Sequence, residues 1–530
     1  METNFFDRKN YLDILQKRIG DLKDGYRQNI AIIGDELVGK TSLAFHFLNR
    51  FYDNRIIILY LEIRPESLIS FARRFISILL YNFLVNSSIP LKEDLDFLIK
   101  KSTRYIPKTA QEIKLLLNAL GRRKKNNVFP ELLSLCDLIH QETGKFCVVI
   151  FDEFHNLENT GIKNLYREWS KLLISQKNTM FIIISSMKFK TKTILSKHLS
   201  LLFGNFELIT VEPFDIKTSE EYIEHRLSNA NLPQALRNFI VHFTGGYPLY
   251  LEVITDALLK SGEEADLSDI LENLLFDASG ILHQRFSNYL KRFLDNPLSN
   301  DYISTLYLIS SGHNKIKDIA HILRKQRKEL ALIINHLSEV DTLTRSGDFL
   351  KINDRVFAFW LKFVYQERMH SLTFDAKNQK ALFREKIEAM IEDFLLNAQK
   401  PIVERLTELL RLFEDETIQI ERKKLRLTHF REIKPLEFSN MGLKDGLICR
   451  SHDSLWIMAF KYGLLTEDDI SGFVKECRKY RHKLDRKIII ALQDIDVNAR
   501  LRALEEKILT WDLNNLNQIL DVFYKPRVIV

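Results

Sequence analysis

Asn29-Ile30-Ala31-Ile32-Ile33 followed at once by Gly34-Asp35-Glu36-Leu37-Val38-Gly39-Lys40-Thr41-Ser42 is the stretch on which the reading of this chain turns. The isoleucine-rich run predicts a buried strand. Leu43, Phe47 and Phe51 then recur at helical spacing, which places both glycines between strand and helix. GxxxxGK[ST] in that context makes a phosphate cradle. Backbone N–H groups of the loop and the N-terminal end of the helix converge on phosphate oxygens, and glycine lets the backbone come close. Lys40 is placed to reach the β- and γ-phosphates, Thr41 to offer its hydroxyl to Mg²⁺, and the loop from Gly34 through Ser42 to line the nucleotide.

Such a site needs an acid for the metal. Phe146-Cys-Val-Val-Ile-Phe151 is an apolar run that ends in Asp152-Glu153. Asp152 is the candidate for the Mg²⁺ shell, with Glu153 orienting and polarising the attacking water. Arg55–Glu62 and Thr179–Ile184 are further β-rich runs, so strands and helices alternate over residues 15–215. That alternation is what a parallel, doubly wound α/β sheet requires.

With these residues in place, the chain resembles an archaeal-type ATPase of the STAND branch of the AAA+-like P-loop NTPases. Phe5-Phe6-Asp7-Arg8 is similar to the family's box on the adenine side, which implies a nucleotide contact for Arg8, although Tyr11 stands where an acid is usual. Gly245-Gly246-Tyr247-Pro248 resembles the family's GxP signature, which implies that Pro248 meets the base from a helical lid. Ser185-Ser186 closes the third apolar run where related enzymes keep a residue that senses the γ-phosphate; Ser186 is the candidate and Ser185 the alternative. The family commonly carries an arginine near Leu202–Phe206, where this chain has Asn205, and slow intrinsic turnover is implied. The resemblance implies ATP and Mg²⁺ as cofactors.

Downstream, Thr218-Ser219-Glu220-Glu221 reads as the start of a helical lid. Tyr302–Ser310, Ile316–Leu323 and Arg327–Val340 read as helices, and residues 341–352 as a hairpin turning at Gly347, the order of a winged helix-turn-helix. Arg324, Lys325, Arg327 and Lys328 lie where a groove reader places its contacts, although such a cluster is commonly a solvated helix face. A second basic run, 122–125, reads as an exposed loop. Ser371–Asn378 reads as a linker to a C-terminal α/β unit, with a helix over Ala381–Leu396 and β segments over Leu425–Pro435 and Gly446–Tyr462. This unit resembles the restriction-endonuclease-like fold. Asp445 and Lys461 would be its acid and lysine, but Ala459 stands where a second carboxylate belongs, and with Glu388 as the remaining acid no cleavage is expected. The expected domains are therefore 1–215 (ATPase core), 216–295 (lid), 296–370 (winged helix) and 379–530 (inactive nuclease-like domain).

Composition sets the outer limits. Only 18 glycines and 11 prolines in 530 residues argue against a turn-dense all-β protein. A net charge of +7 fits an acidic partner without requiring one. The four cysteines are widely spaced and suggest neither zinc nor a disulfide framework. No leader is apparent and no stretch approaches roughly 18–20 apolar residues, so neither export nor membrane insertion is expected and the cytoplasm is the expected compartment. The function read here is an ATP-hydrolysing switch coupled to nucleic-acid or protein recognition. DNA, a protein partner and a second copy of the chain are candidate partners, and a non-hydrolysing DNA-binding regulator and an ATP-gated nuclease are the alternatives.

Overall fold

The structure, a computed structural model, describes residues 5–87, 94–121, 128–161, 164–199, 206–228, 230, 232–262, 266–294, 298–367, 376–420, 423–440, 442–480 and 484–529. Two compact units result, one of residues 1–214 with 247–249 and 339–341, the other of 215–246, 250–338 and 342–530. Asn205 and the basic run 122–125 lie outside the described residues.

The first unit is a parallel sheet of β1 (Asn29–Ile33), β2 (Ile56–Glu62), β3 (Phe146–Asp152), β4 (Thr179–Ser185) and β5 (Phe206–Thr210). Its strand order is β2-β3-β4-β1-β5. Parallel strands covered on both faces need apolar residues at successive positions, and all of β1 and β4 is buried. The register of β2 with β3 sets Glu62 opposite Asp152, and that of β1 with β4 sets Ile33 opposite Ser185. The loops that follow β1, β3 and β4 therefore share one edge of the sheet.

Helix α1 (Lys9–Lys23) precedes β1, α2 (Lys40–Arg50) follows the glycine loop, and α3 (Leu68–Asn86) follows β2. The α3 helix corrects the expectation that no segment is apolar enough to span a membrane, because it is 19 residues long and an 18-residue stretch of it has a mean hydropathy of 1.5. Its apolarity has a different use here. Phe71, Phe75, Ile76, Leu79, Leu80, Phe83 and Leu84 are buried in the core around β2 and β3. Behind β3, the fully buried Trp169 ring packs at 5.7, 5.8 and 5.4 Å from Phe129, Phe151 and Phe181.

The second unit opens with a helix over Ile216–Arg226. Its cap is Asp215, whose carboxylate accepts the Thr218 N–H at 2.7 Å, so the helix starts two residues before the Thr218 expected from sequence. Helices Ser299–Ser310, Ile316–Ile322 and Arg327–Glu339 are followed by an antiparallel hairpin of β6 (Leu343–Ser346) and β7 (Phe349–Ile352), with Gly347 at φ 64° in its turn. A short helix, Arg355–Trp360, and a π-helical turn, Leu361–Tyr365, follow the hairpin; the long helix Ala376–Gln399 then already contains the last three residues of the expected linker, and 371–375 lie outside the described residues.

Beyond it, the hairpin β8 (Glu416–Ile420) and β9 (Lys423–Leu427) precedes a five-stranded sheet of β10 (Glu432–Asn440), β11 (Leu443–Arg450), β12 (Leu455–Lys461), β13 (Leu484–Ala491) and β14 (Ile508–Trp511), in that order. The first three strands are antiparallel and the last three parallel. The expected β segment Leu425–Pro435 is thus two strands in different sheets, broken at residues 428–431.

Trp169→Ala leaves a cavity where several rings meet behind the strand that carries Asp152. A loss of about 3–5 kcal/mol is expected in urea unfolding of the full chain, followed by Trp-independent far-UV CD.

Candidate active site

The glycine loop is held in a conformation that most residues avoid. Gly39 has φ 88° and Leu37 φ 71°. Gly34 lies so close to the chain after β5 that a Cβ there would come 2.3 Å from the Val211 carbonyl oxygen. The loop is thereby held close against the chain that follows β5. Lys40 is buried, and its ammonium donates to the carbonyls of Gly34 at 3.0 Å and Asp35 at 2.6 Å. Burial lowers its pKa, while Glu153, Asp35 and Asp152 oppose that shift.

Thr41 and Asp152, 111 positions apart in sequence, are in contact: the Thr41 hydroxyl donates to Asp152 Oδ2 at 2.8 Å. Tyr60, on the neighbouring strand β2, donates to the same oxygen at 2.7 Å. Asp152 Oδ1 accepts the Glu153 N–H at 2.8 Å, and Glu153 itself adopts φ 51°. A hydroxyl and a carboxylate in contact are hard oxygen donors of the kind Mg²⁺ takes, so the residues present fit that ion.

Glu153 Oε2 lies 3.4 Å from Ser186 Oγ and 3.4 Å from His155 Nε2. Burial, then the neighbouring Asp152, raises the Glu153 pKa, while Lys40 pulls it down. The two serines are separated by the fold: Ser185 is fully buried against His155 Nδ1 at 3.2 Å, whereas Ser186 faces Glu153. Arg8 donates to Glu212 O at 2.7 Å and to Val38 O at 3.2 Å, and its guanidinium lies 4.6 Å from the Phe214 ring centroid. It therefore braces the glycine loop through backbone carbonyls. Asp35 pairs with Lys188 at 2.7 Å, and Tyr247 Oη is 3.5 Å from the Asp35 carboxylate. Pro248, next in the chain, is half-buried and begins helix Pro248–Ser261. Glu36 and Ser42 complete the loop and the first turn of α2, and Ser42 is exposed.

Residues 5–254 match a family described as an ATPase domain predominantly from Archaea. The N-terminal half of the chain is an archaeal-type P-loop ATPase domain. The chain is also similar to a Walker-type ATPase of Pyrococcus abyssi, with 20% identity over 68% of this chain and 96% of that one, at a TM-score of 0.52. The ORC2 protein of Aeropyrum pernix aligns with 11% identity over 74% of this chain and 96% of that one, at a TM-score of 0.39. No curated protein matches the sequence. The Pyrococcus likeness is one of fold.

Tyr60, His155 and Lys188 are site residues that sequence reasoning missed. Each lies on or just beyond the C-terminal part of a strand of the parallel sheet, which is where open α/β sheets place ligands, and that position was the available signal. Tyr60→Phe removes one donor from the buried Asp152 carboxylate. It should lower stability by about 1.5–3 kcal/mol in chemical denaturation, with the far-UV spectrum unchanged.

Proposed function

We propose that the protein is an ATP-hydrolysing switch. Thr41 and Asp152 would hold Mg²⁺, which supplies charge neutralisation at the phosphates, and Lys40 and the loop N–H groups would take the remaining phosphate charge. Glu153, poised beyond Asp152, orients and polarises the attacking water, with Ser186 beside it as the γ-phosphate sensor. Arg8 and Pro248 border the nucleotide on its adenine side. The observation that carries this reading is the Thr41–Asp152 contact, which brings the glycine loop and the strand acid into one site.

The rest of the chain supports a relay to protein contacts more than to DNA. The tip of the wing is packed on the C-terminal hairpin: Asp348 N–H donates to Thr417 O at 2.9 Å, and Thr417 N–H to Asp348 Oδ2 at 2.8 Å. A Cβ on Gly347 would meet Thr417 O at 2.1 Å. Of the basic cluster, Lys325 is paired with Asp301 at 2.9 Å, while Arg324, Arg327 and Lys328 are exposed. A wing covered in this way acts as a packing module, and DNA remains the second reading, through the exposed face of helix Arg327–Glu339.

The C-terminal sheet is proposed to be non-cleaving, in the cytoplasm as elsewhere. Lys461 is bound to the buried Asp469 at 2.8 Å, Asp445 accepts from Tyr462 at 3.1 Å, and Ala459 is fully buried. Glu388 pairs instead with Arg384 on its own helix at 2.9 Å. Among the described residues no group of three or more metal-ligating side chains is assembled.

Lys40→Ala should abolish ATP binding, whereas Glu153→Gln should keep binding and lose turnover by about 10²-fold or more, measured by fluorescent-nucleotide titration and phosphate release. Because the Glu153 carboxyl is held above its ordinary value of 4.5, it takes up a proton earlier as pH falls. The acid limb of the turnover profile should therefore lie above that value, and an acid limb at or below it would count against Glu153 as the ionised base. Incubation with ATP, Mg²⁺ or Mn²⁺ and single- or double-stranded DNA should leave the DNA intact; cutting lost in Asp445→Ala would reverse the reading of the C-terminal sheet.

A further inference from the structure

A second cationic site lies wholly within the second unit. Asp521, on helix Leu513–Val522, has a side chain only 2% exposed. Three cations converge on it: Lys351 of β7 at 2.6 Å, Arg355 of helix Arg355–Trp360 at 2.5 Å, and Arg527 of the C-terminal segment at 2.8 Å. One carboxylate against three cations leaves these four side chains with a charge of +2. His242 does not change this sum. Burial, then Arg355 and Arg527, holds its pKa well below the ordinary value, and its Nδ1 accepts the Arg527 N–H at 3.2 Å.

The cluster borders a cavity of about 240 Å³. Lys362 and Lys525 add two more cations to its wall, and Asp393 one acid. Phe243, Phe359 and Phe394 supply aromatic surface, and the Phe394 ring stacks on His242 with centroids 4.9 Å apart. Burial lowers the Arg355 pKa to about 10, so the guanidinium keeps its charge at neutral pH. The three cations are only partly buried, with 20–31% of each side chain exposed, so their surplus charge is open to a ligand from the cavity, and an arginine–lysine pocket matches the oxygens of a phosphate in number and geometry. The aromatic wall suits an apolar body attached to that phosphate.

We propose that this cavity binds a small phosphate monoester with an aromatic or apolar body. Its phosphate faces Lys351, Arg355, Lys362 and Lys525, and its body packs against Phe243, Phe359 and Phe394. The site is separate in sequence and in unit from the phosphate loop, and it does not depend on the ATPase reading.

The test uses the full chain saturated with ADP and Mg²⁺ to occupy the phosphate loop, titrated calorimetrically with phenyl phosphate, inorganic phosphate and phenol. Phenyl phosphate should bind at one site, more tightly than inorganic phosphate, with no heat from phenol. Binding should persist in Lys40→Ala and weaken by about tenfold or more in Lys351→Gln and in Lys362→Glu. Lys362 makes no contact with Asp521 and its variant decides the matter if Lys351→Gln does not fold. No binding of phenyl phosphate, equal binding of phenol, or undiminished binding in the Lys362 variant would overturn the proposal.

Discussion

The hydrogen bond from Thr41 to Asp152 is the contact around which the ATPase unit is organised. It can form only because β1 and β3 flank β4 in a parallel sheet, so that the loop leaving β1 and the acid ending β3 emerge at the same edge. Each support of that geometry is a packing constraint. Gly34 lies against the Val211 carbonyl, Arg8 ties Val38 to Glu212, and Trp169 fills the space behind Phe151. Chemistry at this edge is thus set by the interior of the sheet, which fixes where each oxygen can be.

Two adjacent acids of the site have different surroundings. Asp152 accepts three hydrogen bonds, from Thr41, Tyr60 and the Glu153 N–H, which hold it as an oriented oxygen donor. Glu153 has its pKa raised by burial and by that same neighbour, which suits a group that accepts a proton from water. Lys40 lies between them in effect: its charge offsets both acids, and its own burial makes the ammonium responsive to added negative charge.

Much of this was legible in the sequence because buried parallel strands leave unbroken apolar runs, and the glycine loop has a spacing fixed by the shape of a phosphate. The 2.0-residue alternation of β2 concealed Tyr60, whose role depends on its register with β3 and not on its neighbours in sequence. Lys188 and His155 depend on how the chain turns after β4 and β3. The apolar run of α3, which passes a membrane test on composition, is explained only by the core around it. Local capping misled at Thr218, where Asp215 takes the N-cap, and the break at residues 428–431 was hidden because two strands of different sheets follow one another with similar composition. Docking of the β6–β7 hairpin on Thr417 is a tertiary fact with no local signature.

The proposed metal site is made by Thr41 and Asp152. Its most direct test is the Mg²⁺ concentration that gives half-maximal ATP turnover in the parent protein, in Thr41→Ala and in Asp152→Asn. Both variants should require much more Mg²⁺ than the parent, since Thr41→Ala removes an oxygen ligand and Asp152→Asn removes the carboxylate charge from the same ion. An unchanged Mg²⁺ requirement in both, with turnover intact, would show that the metal is held elsewhere and would contradict the account.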